Sequence, residues 1–186
     1  MIERDVRKIA FVGTSSVGKT ELINQLRSKH SDDPRFAFAP EAARIFFTAH
    51  SEISQEERFS AKVQGQVQDL QLDLEKEAHD SGATTIFCDR SVLDAIVYTR
   101  ANEEIPESED LYIKVASWIY TYTKVFLLDP TDIIYETDDI RQENEATRQK
   151  NHDAFVTFFE EKQIPYELLS GTVEQRITRI EGILGS

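Results

Sequence analysis

The sequence predicts an α/β fold in which helices cover both faces of a parallel sheet. Short β-prone runs alternate with longer helical patterns along the chain, which is typical of βαβ units. Two of these runs, Ile86-Phe87-Cys88 and Val125-Phe126-Leu127-Leu128, are continuously apolar, as expected of strands that are buried on both sides. A glycine-rich loop lies between the first strand-like run and the first helical pattern. The chain has 186 residues and no internal repeat, so one domain with a sizeable core is expected.

Five runs are predicted as strands, and the segments between them are predicted as helices. The strands are expected at residues 8–12, 35–39, 84–88, 124–128 and 166–169. The helices are expected at residues 18–29, 41–49, 54–81, 91–101, 109–122, 143–162 and 173–184.

Two polar segments interrupt this pattern. Residues 102–110 are acidic and contain Pro106, and they are expected to form a solvated loop. Residues 129–145 are polar and rich in charge, as a mobile flap over an active site would be. We expect a lid at about residues 130–148.

The loop after the first strand carries a phosphate-binding motif. Residues 13–20 read Gly-Thr-Ser-Ser-Val-Gly-Lys-Thr, which matches G-x-x-x-x-G-K-[ST] between a strand and a helix. Backbone N–H groups in such a loop bind phosphates, the lysine contacts the β- and γ-phosphates, and the last hydroxyl is a ligand of Mg²⁺. The alternative is a Gly/Ser turn with an incidental lysine. The predicted ATP-binding residues are Gly13, Ser15, Ser16, Val17, Gly18, Lys19 and Thr20, and Thr20 is also a predicted metal ligand.

The composition excludes several other classes of protein. The net charge of −13 would repel a nucleic-acid backbone at long range, which disfavours broad nucleic-acid binding. The single cysteine, Cys88, cannot form an intramolecular disulfide and is expected to be buried. The four histidines show no spacing that suits a metal. Because no segment resembles a membrane span or a signal peptide, a cytoplasmic protein without membrane contact is expected.

Residues that directly follow strands are candidates for catalysis, since ligands of parallel sheets bind beyond the carboxyl ends of the strands. Asp89 ends the third predicted strand, which is the Walker B position of a metal-binding acid, and Arg90 follows it. The alternative interpretation is a helix N-cap at Asp89 or Ser91 with Arg90 as an ion-pair partner.

Glu41 follows the second predicted strand, and Arg44 lies one helical turn later. A carboxylate there would face the γ-phosphate from the acceptor side, where it could accept the proton of an attacking hydroxyl. The helix dipole would also favour a glutamate in this first turn without any catalytic role. We assign Glu41 and Arg44 to the acceptor site.

Arg141 and Arg148 lie in the predicted flap and at the start of its helix. Arginines that arrive when a lid closes stabilise charge on a transferring phosphoryl group. Ordinary surface pairing with Glu143, Glu145 or Lys150 is the alternative.

Further candidates for acceptor binding lie on two helices. Gln64, Gln68 and Gln71 follow helical spacing, and amides can read the hydrogen-bonding edge of a base. A solvated polar face would look the same. Asp94 and Tyr98, one turn apart, follow Asp89-Arg90-Ser91 and are also placed near the acceptor. The aromatic residues Phe46, Phe47 and Phe59 either line the acceptor pocket or pack in the core.

These motifs together resemble P-loop kinases of nucleosides and related small molecules. The resemblance rests on residues 13–20, Pro40-Glu41-Ala42-Ala43-Arg44, Asp89-Arg90-Ser91-Val92-Leu93-Asp94, and Asp139-Ile140-Arg141 with Arg148. It is nearest to the ribosylnicotinamide kinase domains of bacterial NAD-regulatory proteins and to related AAA-type ATPase/kinase domains. The resemblance implies a three-layer P-loop NTPase fold with a five-stranded parallel sheet, and ATP and Mg²⁺ as cofactors.

The same resemblance implies roles for individual residues. Glu41 resembles the catalytic base of deoxynucleoside kinases, and Asp89-Arg90-Ser91 resembles their Glu-Arg-Ser, with the acid at the metal and the arginine at the phosphates. Arg141 and Arg148 resemble lid arginines. The shorter Asp89 and the absence of a dense arginine cluster in the lid depart from the deoxynucleoside kinases.

The sequence therefore predicts a small-molecule kinase of nucleoside metabolism that transfers the γ-phosphoryl group of ATP to a hydroxyl. Two alternatives remain, a regulatory P-loop ATPase switch and a kinase of hydroxyls in DNA or RNA. The Asp-x-x-Gly and Asn-Lys-x-Asp signatures of Ras-like GTPases are missing from the expected strands. The acceptor, the choice between ATP and GTP, the choice between Glu41 and Asp89 as general base, and a homodimer all stay open.

Overall fold

The computed structural model describes residues 6–102, 105–131 and 145–185. Within them, five strands and seven α-helices alternate, and one short 3₁₀ turn precedes the third helix. The strands are β1 (Arg7–Val12), β2 (Phe36–Ala39), β3 (Thr85–Asp89), β4 (Lys124–Leu128) and β5 (Glu167–Leu169). The helices are α1 (Lys19–His30), α2 (Ala42–Ala49), α3 (Ala61–Asp80), α4 (Val92–Asn102), α5 (Ile105–Ile119), α6 (Glu145–Glu161) and α7 (Val173–Leu184), and the 3₁₀ turn spans Glu57–Phe59.

The five strands form one parallel sheet in the order β2-β3-β1-β4-β5. The chain builds β2 and β3 on one side of β1 and then crosses to β4 on the other side. Such a reversal opens a crevice at the carboxyl ends of the central strands. The loop after β1 and the residues after β3 therefore meet at this crevice, with Phe11 opposite Asp89 in the register.

Alternate residues of the strands support two separate cores. Side chains such as Ala10, Cys88 and Leu127 pack against α3, α4, α5 and α6 on one face of the sheet. Phe11, Phe87 and their neighbours pack against α1 and α7 on the other face. Because both faces are covered, successive residues of a central strand are mostly apolar, which explains the continuous apolar runs. The predicted three-layer α/β fold and its five-stranded parallel sheet are confirmed.

The predicted solvated loop at residues 102–110 is wrong. Helix α5 begins at Ile105, and Ser108 is 1% exposed. Pro106 lies in the first turn, where a helix tolerates proline because the first N–H groups have no intrahelical acceptor. The negative charge of Glu107 in the same turn interacts favourably with the positive end of the helix dipole. The acidic, proline-containing segment is therefore the start of a helix.

The predicted helix at residues 54–81 is also interrupted. The 3₁₀ turn ends at Phe59, and Ser60 is extended and caps α3, since its hydroxyl accepts a hydrogen bond from the N–H of Val63 at 3.3 Å. Arg58 and Phe59 of the 3₁₀ turn line the crevice. Cys88 is fully buried, as predicted. No helix of the described ranges has both the length and the apolar character needed to cross a bilayer.

Candidate functional site

The loop between β1 and α1 has the backbone geometry of a phosphate cradle. Gly13 and Gly18 have φ values of +132° and +76°, and Ser16 is also left-handed with φ of +54°. A Cβ atom on Gly13 would lie 3.4 Å from the carbonyl oxygen of Leu128, so the close approach of β4 also favours glycine there. No side chain of the described residues caps α1 at Gly18, which leaves N–H groups available to an anion.

Lys19 is folded back onto this loop. Its Nζ donates hydrogen bonds to the carbonyl oxygens of Gly13 and Thr14 at 2.7 and 2.5 Å. Burial and, after it, the nearby charge of Arg90 lower the pKa of Lys19 to about 7. The side chain of Lys19 therefore packs against the loop. A rotation of this flexible side chain would bring Nζ to a phosphate bound in the loop.

Asp89 lies beside the loop at the end of β3. Burial raises the pKa of Asp89, and the charge of Glu41 adds to that rise. Its Oδ1 is buried without a hydrogen-bond partner among the described residues. Mg²⁺ in P-loop proteins takes one hydroxyl, one acid and the phosphates, so Thr20 and Asp89 are a donor set that fits the ion. Within the described ranges, no group of three or more His, Cys, Asp or Glu residues offers an all-protein metal site.

Arg90 is the centre of an ion-pair chain across the crevice. Its Nε donates to Oε1 of Glu41 at 2.7 Å, and one of its terminal nitrogens donates to Oδ1 of Asp94 at 3.0 Å. The same nitrogen lies 3.3 Å from the carbonyl oxygen of Gly13 and 3.4 Å from the Tyr98 hydroxyl. The left-handed φ of 68° at Arg90 directs this side chain back over the site. Glu41, Arg90, Asp94 and Tyr98 are thus brought together, although residues 41 and 90 lie far apart in the sequence.

Glu41 is held as a carboxylate. Burial favours its neutral form, but the charges of Arg90, Lys19 and Arg44 outweigh burial and lower its pKa to about 2. Arg44 lies 3.2 Å from its second oxygen and 3.4 Å from the hydroxyl of Thr20, so this exposed arginine joins the acceptor side to the P-loop. A carboxylate with this pKa suits orientation of a hydroxyl better than early removal of its proton.

A single cavity of about 1050 Å³ joins these parts. The P-loop lines one side, and residues of α2, the 3₁₀ turn, α3 and α4 line the other. Phe47, Phe59 and Tyr98 supply apolar wall, whereas Phe46 lies against Phe47 outside this lining. The volume is large enough for a nucleotide together with a small second molecule.

The predicted glutamines line the cavity, but other contacts engage their amides. Gln64 donates to the carbonyl oxygen of Arg58 at 2.7 Å, and Gln68 donates to the carbonyl oxygens of Val92 and Leu111 at 3.0 and 3.4 Å. Both side chains are buried, so the solvated polar face that was the alternative is wrong. The buried Oε1 of Gln68 has no hydrogen-bond partner in the described part of the chain.

The arginine predictions have different outcomes. Arg148 lies at the start of α6, is 6% exposed, and donates to the carbonyl oxygens of Ser16 and Pro130 at 3.3 and 3.0 Å. It therefore supports the P-loop from behind. Arg141, and most of the predicted lid, lie outside the described residues.

A second arginine, which is not among the predicted site residues, lies behind the P-loop. Arg176 of α7 is fully buried and donates to the carbonyl oxygens of Val17 and Asp129 at 2.6 and 2.9 Å. The signal was present in the sequence, since Val173, Arg176, Ile177 and Ile180 share one helix face. An arginine on an otherwise apolar face indicates a buried partner.

A buried polar network, which no sequence motif predicts, lies behind the acceptor side. The carboxylate of Glu75, which is 0% exposed, accepts from Lys8 at 3.1 Å, Trp118 at 2.7 Å and Tyr122 at 2.8 Å. It also accepts from Gln71 at 3.3 Å.

This network holds the first residues of two helices that carry site residues. The Oε1 of Gln71 accepts from the N–H of Ala42 at 3.1 Å, next to Glu41. The hydroxyl of Tyr122 accepts from the N–H of Val92 at 3.2 Å, two residues after Arg90. One buried carboxylate therefore fixes both sides of the Glu41–Arg90 pair.

The comparison with protein families agrees with this geometry. The family model described as an AAA domain matches residues 8–176, which is most of the chain. The chain belongs to this AAA domain family. No curated protein sequence matches the chain significantly.

Solved structures with the same fold as this AAA domain include P-loop kinases. NadR protein in complex with NR has a TM-score of 0.76 at 17% identity, and NadR protein in complex with NAD and AMP-PNP has a TM-score of 0.75 at 16% identity. In both, 97% of this chain is covered, but the chain spans only about half of the NadR chains, 50% and 49%. Deoxyadenosine kinase from M. mycoides with bound dATP has a TM-score of 0.66 at 15% identity, with 97% of this chain and 100% of that chain covered. The predicted likeness to P-loop kinase domains is confirmed at the level of the fold.

Proposed function

We propose that the protein is an ATP- and Mg²⁺-dependent phosphotransferase that moves the γ-phosphoryl group to a hydroxyl of a nucleoside, a nucleotide or a related small molecule. The observation that carries the proposal is the continuity of the cavity. It extends without a break from the P-loop to the Glu41–Arg90–Asp94 chain. A P-loop switch needs only the nucleotide half, whereas a kinase needs both halves within reach of one phosphoryl group.

On the nucleotide side, the backbone N–H groups of the P-loop and of the first turn of α1 bind the triphosphate. Lys19 exchanges the carbonyl oxygens of Gly13 and Thr14 for phosphate oxygens, which restores a full positive charge to its amine because the phosphates raise its pKa. Thr20 and Asp89 would hold Mg²⁺, which would neutralise charge on the phosphates. Arg148 and Arg176 keep the loop in this shape from behind.

On the acceptor side, the hydroxyl of the acceptor donates a hydrogen bond to Glu41 and faces the γ-phosphorus. The acceptor oxygen forms the new P–O bond while the bond between the γ-phosphorus and the ADP oxygen breaks. The hydroxyl proton passes to the Glu41 carboxylate, and the ADP oxygen keeps the electron pair of the broken bond. Arg90 fixes the Glu41 carboxylate and presents positive charge toward the transferring group.

The relatives in the comparison support this choice of acceptor class. NadR binds NR, and deoxyadenosine kinase binds dATP in the structures with this fold. Phe47, Phe59 and Tyr98 provide flat apolar wall suited to a base or another ring. A homodimer and a cytoplasmic location stay predictions.

The test is ATP consumption by the purified protein with Mg²⁺ across nucleosides, ribosylnicotinamide, nucleoside monophosphates and hydroxyl-bearing DNA. We expect one small acceptor to raise turnover well above the acceptor-free rate and to gain one phosphate by mass. Lys19→Ala is expected to abolish this turnover. Lys29→Ala is the matched control, since Lys29 lies in the same helix, half-exposed in an ion pair with Glu181.

Two outcomes would replace the proposal. Slow hydrolysis that no acceptor changes would favour the regulatory ATPase. Phosphorylation of DNA alone, with binding that weakens strongly as salt rises, would favour the nucleic-acid kinase.

A further inference from the structure

The 3₁₀ turn contributes an arginine, Arg58, to the wall of the cavity. Unlike Arg44 and Arg90, which also line the cavity, Arg58 makes no ion pair with a described residue. Arg58 lines the cavity, and its guanidinium lies over the ring of Phe47 with 4.8 Å between Cζ and the ring centroid. Its Nε is buried and makes no hydrogen bond to a described residue. A buried donor of this kind is costly unless a partner binds it.

The remaining cations that line the cavity are each engaged by the protein. Lys19 donates to P-loop carbonyl oxygens, Arg90 is bound by Glu41 and Asp94, and Arg44 is bound by Glu41. Arg58 has no ion pair with any carboxylate of residues 6–102, 105–131 or 145–185. Its positive charge is therefore available to a ligand.

The backbone around Arg58 is held in place before any ligand binds. Its N–H donates to the carbonyl oxygen of Ser54 at 3.2 Å, and its own carbonyl oxygen accepts from Gln64 of α3 at 2.7 Å. The ring of Phe47 in α2 lies on one side of the guanidinium, 4.8 Å from its Cζ. Stacking on an aromatic ring leaves the edge of a guanidinium free, and the N–H groups of that edge match two oxygens of a carboxylate or phosphate.

We propose that Arg58 and Phe47 form an anion subsite for the acceptor, so that the acceptor carries a carboxylate or phosphate group in addition to the hydroxyl that receives the phosphoryl group. This inference rests on the proposed kinase function only in assigning the hydroxyl that receives the phosphoryl group.

The first test measures binding without turnover. The P-loop is saturated with AMP-PNP and Mg²⁺, and inorganic phosphate is titrated by calorimetry into the wild type, Arg58→Gln and Arg27→Gln. Arg27 is the matched control, because its guanidinium lies 4.6 Å from the ring centroid of Phe38 but is exposed and outside the cavity lining. We expect phosphate to bind the wild type and Arg27→Gln equally, and Arg58→Gln at least tenfold more weakly. Equal binding by all three proteins would overturn the subsite.

The second test compares acceptors that differ in one charged group. Uridine, orotidine and uridine 3′-monophosphate share a ribose hydroxyl, and the last two add a carboxylate or a phosphate. Ribosylnicotinamide and its carboxylate analogue form a second pair. We expect the member with the added carboxylate or phosphate to have the higher kcat/KM through a lower KM, and Arg58→Gln to reduce this preference at least tenfold. Arg58→Lys keeps the positive charge but lacks the paired N–H donors of a guanidinium. Its preference for the acceptor with the added group is expected to lie between those of the wild type and Arg58→Gln. A preference for neutral acceptors that Arg58→Gln leaves unchanged would overturn the proposal.

The two tests separate failure of the subsite from failure of the proposed function. If AMP-PNP does not bind or no acceptor is phosphorylated, while phosphate binding still depends on Arg58, the kinase proposal fails and the anion subsite stands. If AMP-PNP does not bind, phosphate is titrated without nucleotide into the wild type, Arg58→Gln and Arg27→Gln. If acceptors are phosphorylated with no contribution from Arg58, the kinase proposal stands and the subsite fails. Orotidine and uridine 3′-monophosphate distinguish a carboxylate from a phosphate as the natural group.

Discussion

The buried carboxylate of Glu75 allows a sharp prediction about stability. Its two oxygens accept from the charged amine of Lys8 and from Trp118, Tyr122 and Gln71, all at distances between 2.7 and 3.3 Å. Glu75→Ala leaves the 4% exposed Lys8 charge without its counter-ion and removes the acceptor of three other donors. Breaking a buried ion pair in this way costs about 3–5 kcal/mol of unfolding free energy. Burial already lowers the pKa of Lys8, and loss of Glu75 would lower it further, so the lysine partly escapes the cost by losing its proton.

Urea unfolding followed by circular dichroism measures this loss. The matched control is Asp73→Ala in the same helix, where Asp73 pairs with Lys76 at 3.3 Å and both side chains are exposed. Exposed pairs contribute below about 1 kcal/mol, so the control is expected to unfold almost as the wild type does. The double variant with Lys8→Met and Glu75→Leu should be more stable than Glu75→Leu alone, because no unpaired charge remains buried. A loss below about 1 kcal/mol for Glu75→Ala would refute the reasoning, since it would mean that water or rearrangement satisfies the network freely.

Three further predictions concern the site itself. The pKa of Lys19 is about 7 before ATP binds, and bound phosphates would raise it, so ATP binding above pH 7 should take up a proton. The affinity for ATP should therefore fall as the pH rises from about 7 toward 9. Calorimetry in buffers of different ionisation enthalpy measures this proton uptake. Glu41→Gln keeps an oxygen for Arg90 but loses the charge, so acceptor phosphorylation should fall by about 10²–10⁴-fold while the Kd for Mg²⁺·AMP-PNP changes little; an unchanged kcat would assign the acceptor hydroxyl to another residue. Arg176→Met removes two buried donors behind the P-loop, which should cost about 1–3 kcal/mol of stability and weaken AMP-PNP binding, whereas the exposed Arg179→Met should do neither.

Much of the fold could be predicted because its signals are local. The glycine loop between a strand and a helix, the apolar strand runs and the acids after the strands each depend on a few neighbouring residues. The errors arose where one local pattern fits two structures. An acidic segment with Pro106 fits a loop as well as a helix start, and only the packing of Ser108 and Leu111 decides between them. Ser60 interrupts a segment whose apolar spacing continues on both sides.

The site could be predicted only in part, because its contacts join distant segments. The sequence places Glu41 and Arg90 at strand ends, but the ion pair between them depends on β2 and β3 being neighbours in the sheet. The amides of Gln64 and Gln68 were assigned to a ligand, and the structure shows that carbonyl oxygens of the 3₁₀ turn, α4 and α5 engage them. Glu75 and Lys8 carried no motif, because a charged residue looks solvated in a sequence until its burial is known.

The sequence by itself determined the α/β class, the phosphate-binding loop and the identity of the acids that follow the strands. These depend on backbone periodicity and on residue types that have few substitutes in a tight loop, such as Gly13 and Gly18. Only the tertiary structure decided which charges pair, which polar groups are buried, and that Arg58 faces the cavity with its charge available. Those properties follow from the strand order and from the packing of helices on two faces, which bring together residues that no local pattern relates.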